Sequence, residues 1–424
     1  MKFVMSTCRN EELEFYKSHL QNVIMPFWTK AFDHKHGGIY TCYNNAGTEL
    51  VSKDKYVWSQ GRLIWIWSRL GRLMQEGIID GDGSLFLDQA YQTVRFLQHN
   101  AFLENGNCAF LLSEEGEKKE SIPGKGMDIS IYADCFVILG FTEYAGVSRD
   151  EQVLDEALRL YDHLSERLRR GDYRTEPYPI PEGYKAHAVA MIMLNVTQEL
   201  GRVLKTFRHE RREELLEASG RYMCIVMEEF YRADGSIAEI IAQDPEKNED
   251  ELLTRHMNPG HAIESMWFVM TTAEELERED YIHKVCIAIK KAFELGWDEL
   301  HGGLLRFVDK EGGPPKGVTN GNPFETLILD TWDTKLWWPH SEALYATLLA
   351  YAYTRDNEFL RLYKQTKRYV FDTFPNENQP GGEWIQIRNR KGHPVEKVVA
   401  LPVKDPYHII RNFLLIIELL SKQI

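Results

Sequence analysis

The stretch that decides the fold is a glycine turn, Asp33–Ile39, with the sequence DHKHGGI. It follows the first predicted helix, and it recurs as DELHGGL at Asp298–Leu304 after the ninth. A looser copy, NQPGGEW at Asn378–Trp384, follows the eleventh. Glycine accepts the positive φ that ends a helix or makes a tight turn. Each copy therefore indicates one unit of helix, glycine turn, short strand and helix.

The hydrophobic periodicity is helical almost throughout the chain. The even-numbered helices begin about 70 residues apart, and six such steps fill the chain. A regular repeat of helix pairs is typical of an open solenoid or a closed ring. The twelve predicted helices lie at about 11–31, 56–76, 84–100, 127–147, 149–169, 185–204, 210–231, 260–277, 279–296, 335–354, 356–373 and 406–421.

The two sets of helices differ in character. Odd-numbered helices are amphipathic and charged, as in Glu151–Arg170, whereas even-numbered ones are apolar on more than one face, as in Ile129–Tyr144. A helix that is apolar all round is a buried one. Alternating outer and inner helices predict an all-α fold, the closed (α/α)6 barrel, with short β pieces in its loops. We expect residues 1–424 to form one domain, because no linker divides the repeats and the long non-helical stretch at about 298–334 has the pattern of a loop insertion.

The composition excludes several classes of protein. The 424 residues are 43% hydrophobic and 27% charged, which is enough apolar material for a sizeable core. A net charge of −14 argues against a nucleic acid or an anionic membrane surface as partner. No apolar run reaches the roughly 20 residues that span a bilayer, and Met1–Asn10 lacks the apolar core of a secretory signal. With six scattered cysteines and no Cys-x-x-Cys, these features predict a cytoplasmic protein with reduced thiols.

Unusual polar and aromatic residues gather at the predicted starts of the even-numbered helices. The inner helices of a ring run parallel, so their N-termini converge at one mouth. Aromatic rings and charged groups in one cleft suit a sugar, and converging helix N-termini favour developing negative charge. The candidate residues are Trp58, Arg62, Lys185, His187, Asn258, His261, Glu264, Trp338, His340, Glu342, His408 and Arg411.

These features also have structural explanations. A proline near a helix start with a carboxylate one turn later is ordinary capping, and a single histidine at a helix start is more often structural than catalytic. Arg62 differs, because a guanidinium within an apolar helix needs a partner. Capping does not explain why such residues recur at corresponding ends of separate units.

The sequence predicts no metal site and no cofactor. It contains no His-Glu-x-x-His motif, no P-loop and no Gly-x-Ser-x-Gly elbow. The two histidines of His34–His36 belong to the glycine turn, which already has a structural explanation.

Four motifs between positions 58 and 411 resemble those of the N-acylglucosamine 2-epimerase family. That family, which has the (α/α)6 fold, includes N-acetylglucosamine, cellobiose and mannose 2-epimerases and aldose–ketose isomerases. The sequence departs from it at Ile410, where epimerases commonly have proline, and at Val403, where an aromatic residue is frequent. The motifs are WSQGR at Trp58–Arg62, PGHAIE at Pro259–Glu264, KLWWPHSEAL at Lys335–Leu344 and YHIIR at Tyr407–Arg411.

The resemblance implies a role for each matching residue. His261 and His408 would be the catalytic acid–base pair, and Arg62 would polarise the carbonyl oxygen of the substrate. Glu264 would orient His261 or bind near it. The partner would be a small monosaccharide, and a homodimer is the usual state of the family. The residues expected to bind substrate are Trp58, Lys185, His187, Asn258, Trp338, His340, Glu342 and Arg411.

The expected reaction is 2-epimerisation, interconverting N-acetylglucosamine and N-acetylmannosamine. One histidine would remove the C2 proton of the open-chain sugar to give an enediolate, and the other would return a proton to the opposite face. Return of the proton to C1 would instead make an aldose–ketose isomerase, and a mannose or cellobiose 2-epimerase would use the same groups. Two other classes stay open: a glycoside hydrolase, which would need paired carboxylates among Glu264, Glu325 and Glu342, and a sugar-binding ring without activity.

Overall fold

Residues 2–243, 250–376, 383–398 and 401–422 are described by a computed structural model. Within them the chain forms the predicted (α/α)6 barrel, in which an inner ring of helices is surrounded by an outer ring. The inner helices are α2 (Val57–Gln75), α4 (Ile131–Ser148), α6 (His187–Phe207), α8 (Pro259–Glu275), α10 (Trp337–Thr354) and α12 (Tyr407–Ser421). The outer helices are α1 (Lys2–His19), α3 (Gly83–Asn100), α5 (Glu151–Arg170), α7 (Arg212–Ile225), α9 (Glu279–Gly296) and α11 (Asn357–Thr373).

The ring closes between the two ends of the chain. Each inner helix contacts the next one, and α12 contacts α2. Each outer helix packs on the inner helix that precedes it, except that α1 packs on α12. At this junction the hydroxyl of Tyr16 lies 2.9 Å from that of Tyr363, and Trp384 Nε1 donates to His19 Nε2 at 2.9 Å. The first outer helix therefore completes the last unit of the ring.

The observed boundaries correct the sequence prediction in two places. The first helix begins at Lys2 rather than near 11, and it continues through a π-helical turn, Leu20–Ile24. The stretch at 298–334, predicted to lack helix, contains a helix at Pro323–Thr331. Asn322 caps this helix and Glu325 completes a capping box, a local signal that was passed over. Short helical segments also occur at Met25–Trp28, Thr29–Ala31, Val226–Phe230 and Leu252–Arg255.

Short antiparallel strands surround the end of the barrel where the inner helices begin. A strand before an inner helix pairs with a strand that follows the next outer helix, for example Ala186 with Ile240. The strands are β1 (Lys55–Tyr56), β2 (Leu111–Leu112), β3 (Lys118–Lys119), β4 (Tyr184–Ala186), β5 (Ile240–Ala242), β6 (His256–Met257), β7 (Val308–Asp309), β8 (Lys335–Leu336) and β9 (Ile387–Arg388). They pair as β1-β2-β3, β4-β5, β6-β7 and β8-β9.

Buried lysines hold the glycine turns against these strands. Lys335 Nζ donates to the carbonyls of Gly302 and Gly303, at 2.7 and 3.0 Å, and pairs with Asp298 at 3.2 Å. Lys55 repeats the arrangement in the first unit, where it reaches Asp33 at 2.6 Å and Gly37 O at 2.7 Å. The repeated Asp-x-x-x-Gly-Gly sequence therefore marks a turn that a lysine of the following unit clamps. The third copy, at 378–384, lies mostly outside the described residues.

Two glycines let α2 and α4 approach closely beside the cavity. A Cβ at Gly140 would lie 2.4 Å from the carbonyl oxygen of Gly61, and a Cβ at Gly61 would lie 2.3 Å from that of Phe136. No larger side chain fits at either position without moving a helix. This contact places Arg62 of α2 over the ring of Phe136, 4.0 Å from guanidinium carbon to ring centroid.

Two further observations concern membrane-spanning helices and the cysteines. No helix among the described residues has the length and apolar character needed to cross a bilayer. Cys42, Cys108, Cys135, Cys224 and Cys286 are free thiols, and the side chain of Cys8 is outside the described set.

Candidate active site

A cavity of about 190 Å³ opens where the inner helices begin. Its lining mixes aromatic rings with charged groups, the combination expected from the sequence. Of the predicted residues, eight line it: Trp58, Arg62, Asn258, His261, Glu264, Trp338, His408 and Arg411.

Arg62 lies in an aromatic cage on one side of the cavity. Its guanidinium carbon is 4.7 Å from the Trp58 ring and 5.0 Å from the Tyr407 ring, and Nη1 pairs with the Asp405 carboxylate. Burial lowers the pKa of Arg62, and Asp405 opposes that effect. Arginine nevertheless stays protonated in proteins. The cavity therefore contains a fixed, buried cation beside the predicted acid–base pair.

His261 is oriented by a carboxylate that the sequence analysis missed. Its Nδ1 lies 2.7 Å from Oε1 of Glu239, the residue just before β5. Because an ionised carboxylate only accepts hydrogen bonds, Nδ1 carries the proton and Nε2 has the lone pair. Burial lowers the pKa of His261, but Glu239 outweighs burial and the net shift is upward. The predicted role of Glu264 at His261 therefore belongs to Glu239.

His408 is held in the same manner by Glu342. Its Nδ1 lies 2.7 Å from Glu342 Oε1, so Nε2 again has the free lone pair. Trp338 lies against both imidazoles, with ring centroids 5.1 Å from His261 and 5.6 Å from His408. The structure thus brings the two predicted histidines to one aromatic platform, each with a carboxylate behind it.

Glu342 supports the site from beneath the cavity surface. It is fully buried and accepts from Trp267 Nε1 at 2.8 Å, from Arg411 Nη2 at 2.6 Å and from Asn412 Nδ2 at 2.7 Å. Burial raises the pKa of Glu342, but Arg411 and His408 lower it to about 2. The carboxylate is therefore ionised, and it lies one helical turn below Trp338 rather than among the lining residues.

Glu264, Glu342 and His408 offer three ligand atoms within 4.8 Å of one another, a spacing that a metal ion could use. The Arg411 guanidinium already pairs with both carboxylates, with Nη2 as the shared donor. A cation at this point would have to displace a buried guanidinium. Glu264 therefore pairs directly with Arg411 and lies 3.8 Å from His408 Nδ1, and it influences His261 only through its charge.

Besides Glu342, three predicted residues do not line the cavity. Lys185 pairs instead with Glu229 on the surface, at 2.5 Å. His187 is fully buried against Phe230, and its Nδ1 is 4.0 Å from Glu239 Oε2. Burial lowers the pKa of His187 to about 4, so the ring is neutral. The third is His340.

His340 faces the outer layer because it follows Trp338 by two residues, a rotation of about 200° around an α-helix. Its Nδ1 lies 2.6 Å from Leu336 O, and its Nε2 accepts from Leu304 N at 2.8 Å. Burial lowers the pKa of His340 to about 3, which keeps Nε2 an acceptor. His340 fastens the glycine turn after α9 and does not reach the cavity.

The positions of Glu264, Glu325 and Glu342 bear on whether this chain could be a glycoside hydrolase. Such an enzyme would need two carboxyl groups facing the substrate. Glu325 accepts from the backbone of Asn320 and Asn322, at 2.9 and 3.0 Å, and so caps a loop helix. Glu342 is buried below the cavity, which leaves Glu264 as the one lining carboxylate of the three offered.

Other lining residues carried no individual signal in the sequence. Asp405, Glu239 and Arg306 all line the cavity, and Arg306 donates to Thr331 Oγ1 at 2.9 Å. Glu239 and Arg306 lie outside the starts of the inner helices, on segments that follow outer helices. The convergence of helix N-termini therefore finds one part of the site, and the strand-bearing loops supply the rest.

Comparisons with known proteins identify the family and the fold. Residues 38–412 match the family model for N-acylglucosamine 2-epimerase (GlcNAc 2-epimerase). N-acylglucosamine 2-epimerase of Bos taurus is 29% identical over 413 residues, which cover 94% of this chain and 89% of the relative.

Two solved structures share the fold. Cellobiose 2-epimerase from Bacillus thermoamylovorans superposes with a TM-score of 0.76 at 21% identity, covering 96% of this chain and 99% of the other. A D-mannose isomerase superposes with a TM-score of 0.74 at 15% identity, covering 96% and 98%. The family match over most of the chain confirms the resemblance seen in the four motifs. The chain belongs to the N-acylglucosamine 2-epimerase family and is a carbohydrate epimerase or isomerase.

Proposed function

We propose that this chain is a sugar 2-epimerase that interconverts N-acyl-D-glucosamine and N-acyl-D-mannosamine. The observation that carries the proposal is the pair His261 and His408. Both line one cavity, and both have Nδ1 held 2.7 Å from a carboxylate. Inversion at one carbon requires two such groups on opposite faces, one neutral with its Nε2 lone pair and one protonated at Nε2, because a single base would return the proton to the face from which it came.

The reaction begins with the open-chain sugar, whose C1 aldehyde makes the C2 hydrogen acidic. Nε2 of one histidine, which is neutral, takes the C2 proton, and the electron pair of the broken C–H bond forms the C1–C2 double bond of an enolate whose charge lies on the C1 oxygen. The other histidine, already protonated at Nε2, then donates that proton to the opposite face of C2, and exchange with water restores both protonation states. Each transfer of this kind contributes on the order of 10²–10⁴-fold. No oxidant or reductant is consumed, since a proton leaves and a proton returns.

Arg62 supplies the charge that the intermediate needs. The enolate oxygen on C1 carries the negative charge, and a fixed, buried cation stabilises it without reorganisation. The aromatic cage and Asp405 hold the guanidinium in place before substrate arrives. Trp338, against both imidazoles, offers a face on which the sugar chain can lie.

The choice of an N-acylated substrate rests on the relatives. The N-acylglucosamine 2-epimerases of Bos taurus and Homo sapiens are 29% and 28% identical to this chain over 94% of its length. A cellobiose 2-epimerase of Ruminococcus albus is 24% identical over 92%. On an unsubstituted hexose, delivery of the second proton to C1 would make a ketose with the same residues, and product analysis separates the two outcomes.

We further propose that residues 1–424 act as one domain, as a homodimer, in the cytoplasm. The scattered cysteines, none of them in a Cys-x-x-Cys motif, favour that compartment. The acid–base scheme needs no metal and no cofactor.

The proposal is tested by incubating the protein with a panel of free sugars in deuterated water. N-acetylglucosamine, N-acetylmannosamine, glucose, mannose and cellobiose are followed by NMR. We expect the two N-acetyl sugars to interconvert, with deuterium appearing at C2 of the product. A protein that exchanges C2 of none of these sugars, or that releases reducing sugar from a glycoside instead, contradicts the proposal.

A further inference from the structure

One side of the cavity is aliphatic. Ala188, Met191 and Ile192 line it from the first turns of α6, where their spacing of three and four residues puts them on one helix face. Ile240 joins them from β5, whose partner strand β4 leads directly into α6. These four side chains are called the aliphatic wall below.

The wall contrasts with what the other helices bring to the cavity. Helices α2, α8 and α12 each contribute charged or ionisable lining groups, such as Arg62, His261 and His408. Helix α6 begins with His187, but that ring is turned away and packs on Phe230 at 5.5 Å. Among the described lining residues, α6 therefore presents only apolar side chains to the cavity, although a sugar displays hydroxyl groups in most directions.

The wall adjoins the segment that holds His261. Ile240 directly follows Glu239, which holds Nδ1 of His261 at 2.7 Å. The base that reaches C2 is thus attached to the same short segment as the wall. A substituent on C2 has to lie close to that base, whereas substituents on C5 and C6 lie several bonds away.

We propose that the aliphatic wall receives the acyl group on the C2 nitrogen and selects N-acylated sugars over unsubstituted hexoses. This inference rests on the proposed function and names the residues that set its substrate class. An acyl methyl against the wall loses no hydrogen bond and leaves water, which is favourable. A C2 hydroxyl against the same carbons would lose its bond to water without replacement. The difference favours the N-acyl substrate at the site where the proton is removed.

The test compares kcat/KM for C2 exchange on N-acetylmannosamine and on mannose, and takes their ratio as the selectivity. Ala188→Leu adds three carbons to the wall and fills the space for the acyl group. We expect the selectivity to fall by about tenfold or more, mainly through KM for the N-acetyl sugar. Ile192→Thr, which brings a hydroxyl to the wall with little change of shape, should lower it in the same direction.

The matched control is Val189→Leu, which enlarges the neighbouring residue of α6 outside the cavity lining. It should leave the selectivity unchanged. Equal losses on both sugars in Ala188→Leu and Ile192→Thr, or no loss on either, would overturn the inference. A wild-type protein that exchanges both sugars with the same kcat/KM overturns it while leaving epimerisation intact. A wild-type protein that exchanges neither overturns the proposed function as well.

Discussion

Each imidazole in the cavity depends on a carboxylate from another element. Glu239 reaches His261 across 22 residues of sequence, and Glu342 reaches His408 across 66. The carboxylate fixes the tautomer and stabilises the imidazolium that forms when Nε2 accepts a proton. The two partners differ in setting: Glu239 lines the cavity, whereas Glu342 lies beneath it.

Replacing Glu239 by glutamine should shift the pH profile and slow the reaction. The pKa of His261 is lowered by burial but raised overall by Glu239, and the ring is a base only above that pKa. Without the charge, burial remains, so the pKa falls and the acidic limb of kcat/KM moves to lower pH. The maximal rate should drop about tenfold or more, because the imidazolium loses its counter-charge.

The matched control is Glu229→Gln, which removes a surface carboxylate paired with Lys185. It should leave the pH profile in place. An acidic limb that stays where it is in Glu239→Gln, or that moves to higher pH, would show that Glu239 does not set the titration of His261.

The sequence predicts more of the residues that line the cavity than of the residues that hold them in place. Arg62, His261 and His408 were found because unusual residues recur at inner-helix starts, and all three line the cavity. Position at a helix start does not fix direction, however. His340 lies about 200° from Trp338 around α10 and points outward. Glu239 could not be found, because the segment that carries it contacts α8 only in the folded chain.

Among the elements, the contact between α2 and α4 determines where Arg62 lies. Gly140→Ala would place a Cβ 2.4 Å from Gly61 O, a backbone atom that cannot move alone. We expect the helices to separate, with a loss of about 1–3 kcal/mol in the free energy of unfolding, measured in urea. Gly201→Ala on α6 is the control, since its nearest neighbour lies 3.9 Å away. It should be neutral or stabilising, and equal losses in both variants would contradict the account.

The lysine clamps make a second prediction about elements. Lys335→Met leaves the carbonyls of Gly302 and Gly303 buried without their donor, and Asp298 keeps only its pair with Arg390. Leaving buried acceptors unsatisfied in this manner costs about 1–3 kcal/mol in the free energy of unfolding. Chemical denaturation measures it.

Lys316→Met serves as the control for that substitution. It removes an exposed pair with Glu311 and should cost at most about 1 kcal/mol. If Lys335→Met were as mild as Lys316→Met, the clamp would not hold the turn.

Helix existence was more predictable than helix bounds. The alternation of apolar and amphipathic segments gave the inner and outer helices because burial imposes that pattern. The helix at Pro323–Thr331 was missed because its nine residues are too short for a clear periodicity, and because the glycines and prolines around it favour a loop. The clamping role of Lys55 and Lys335 was also invisible, since lysine in a strand usually indicates solvent.

For the whole molecule, closure of the ring by α1 and α12 ties the ends of the chain together. Each helix pair contacts a neighbouring pair on both sides, so no pair lies at a free end where unfolding could begin. We expect unfolding to be one transition, with tryptophan fluorescence and far-ultraviolet circular dichroism coinciding. Two separated transitions would indicate independent domains and contradict the expectation that residues 1–424 act as one.

The central claim is that His261 and His408 serve opposite faces of C2, and hydrogen exchange in deuterated water tests it most directly. His261→Asn and His408→Asn are each given N-acetylglucosamine and, separately, N-acetylmannosamine. The account predicts that neither variant epimerises, and that each retains C2 exchange with only one of the two sugars, a different one for each variant. Full exchange of both sugars by both variants would contradict it.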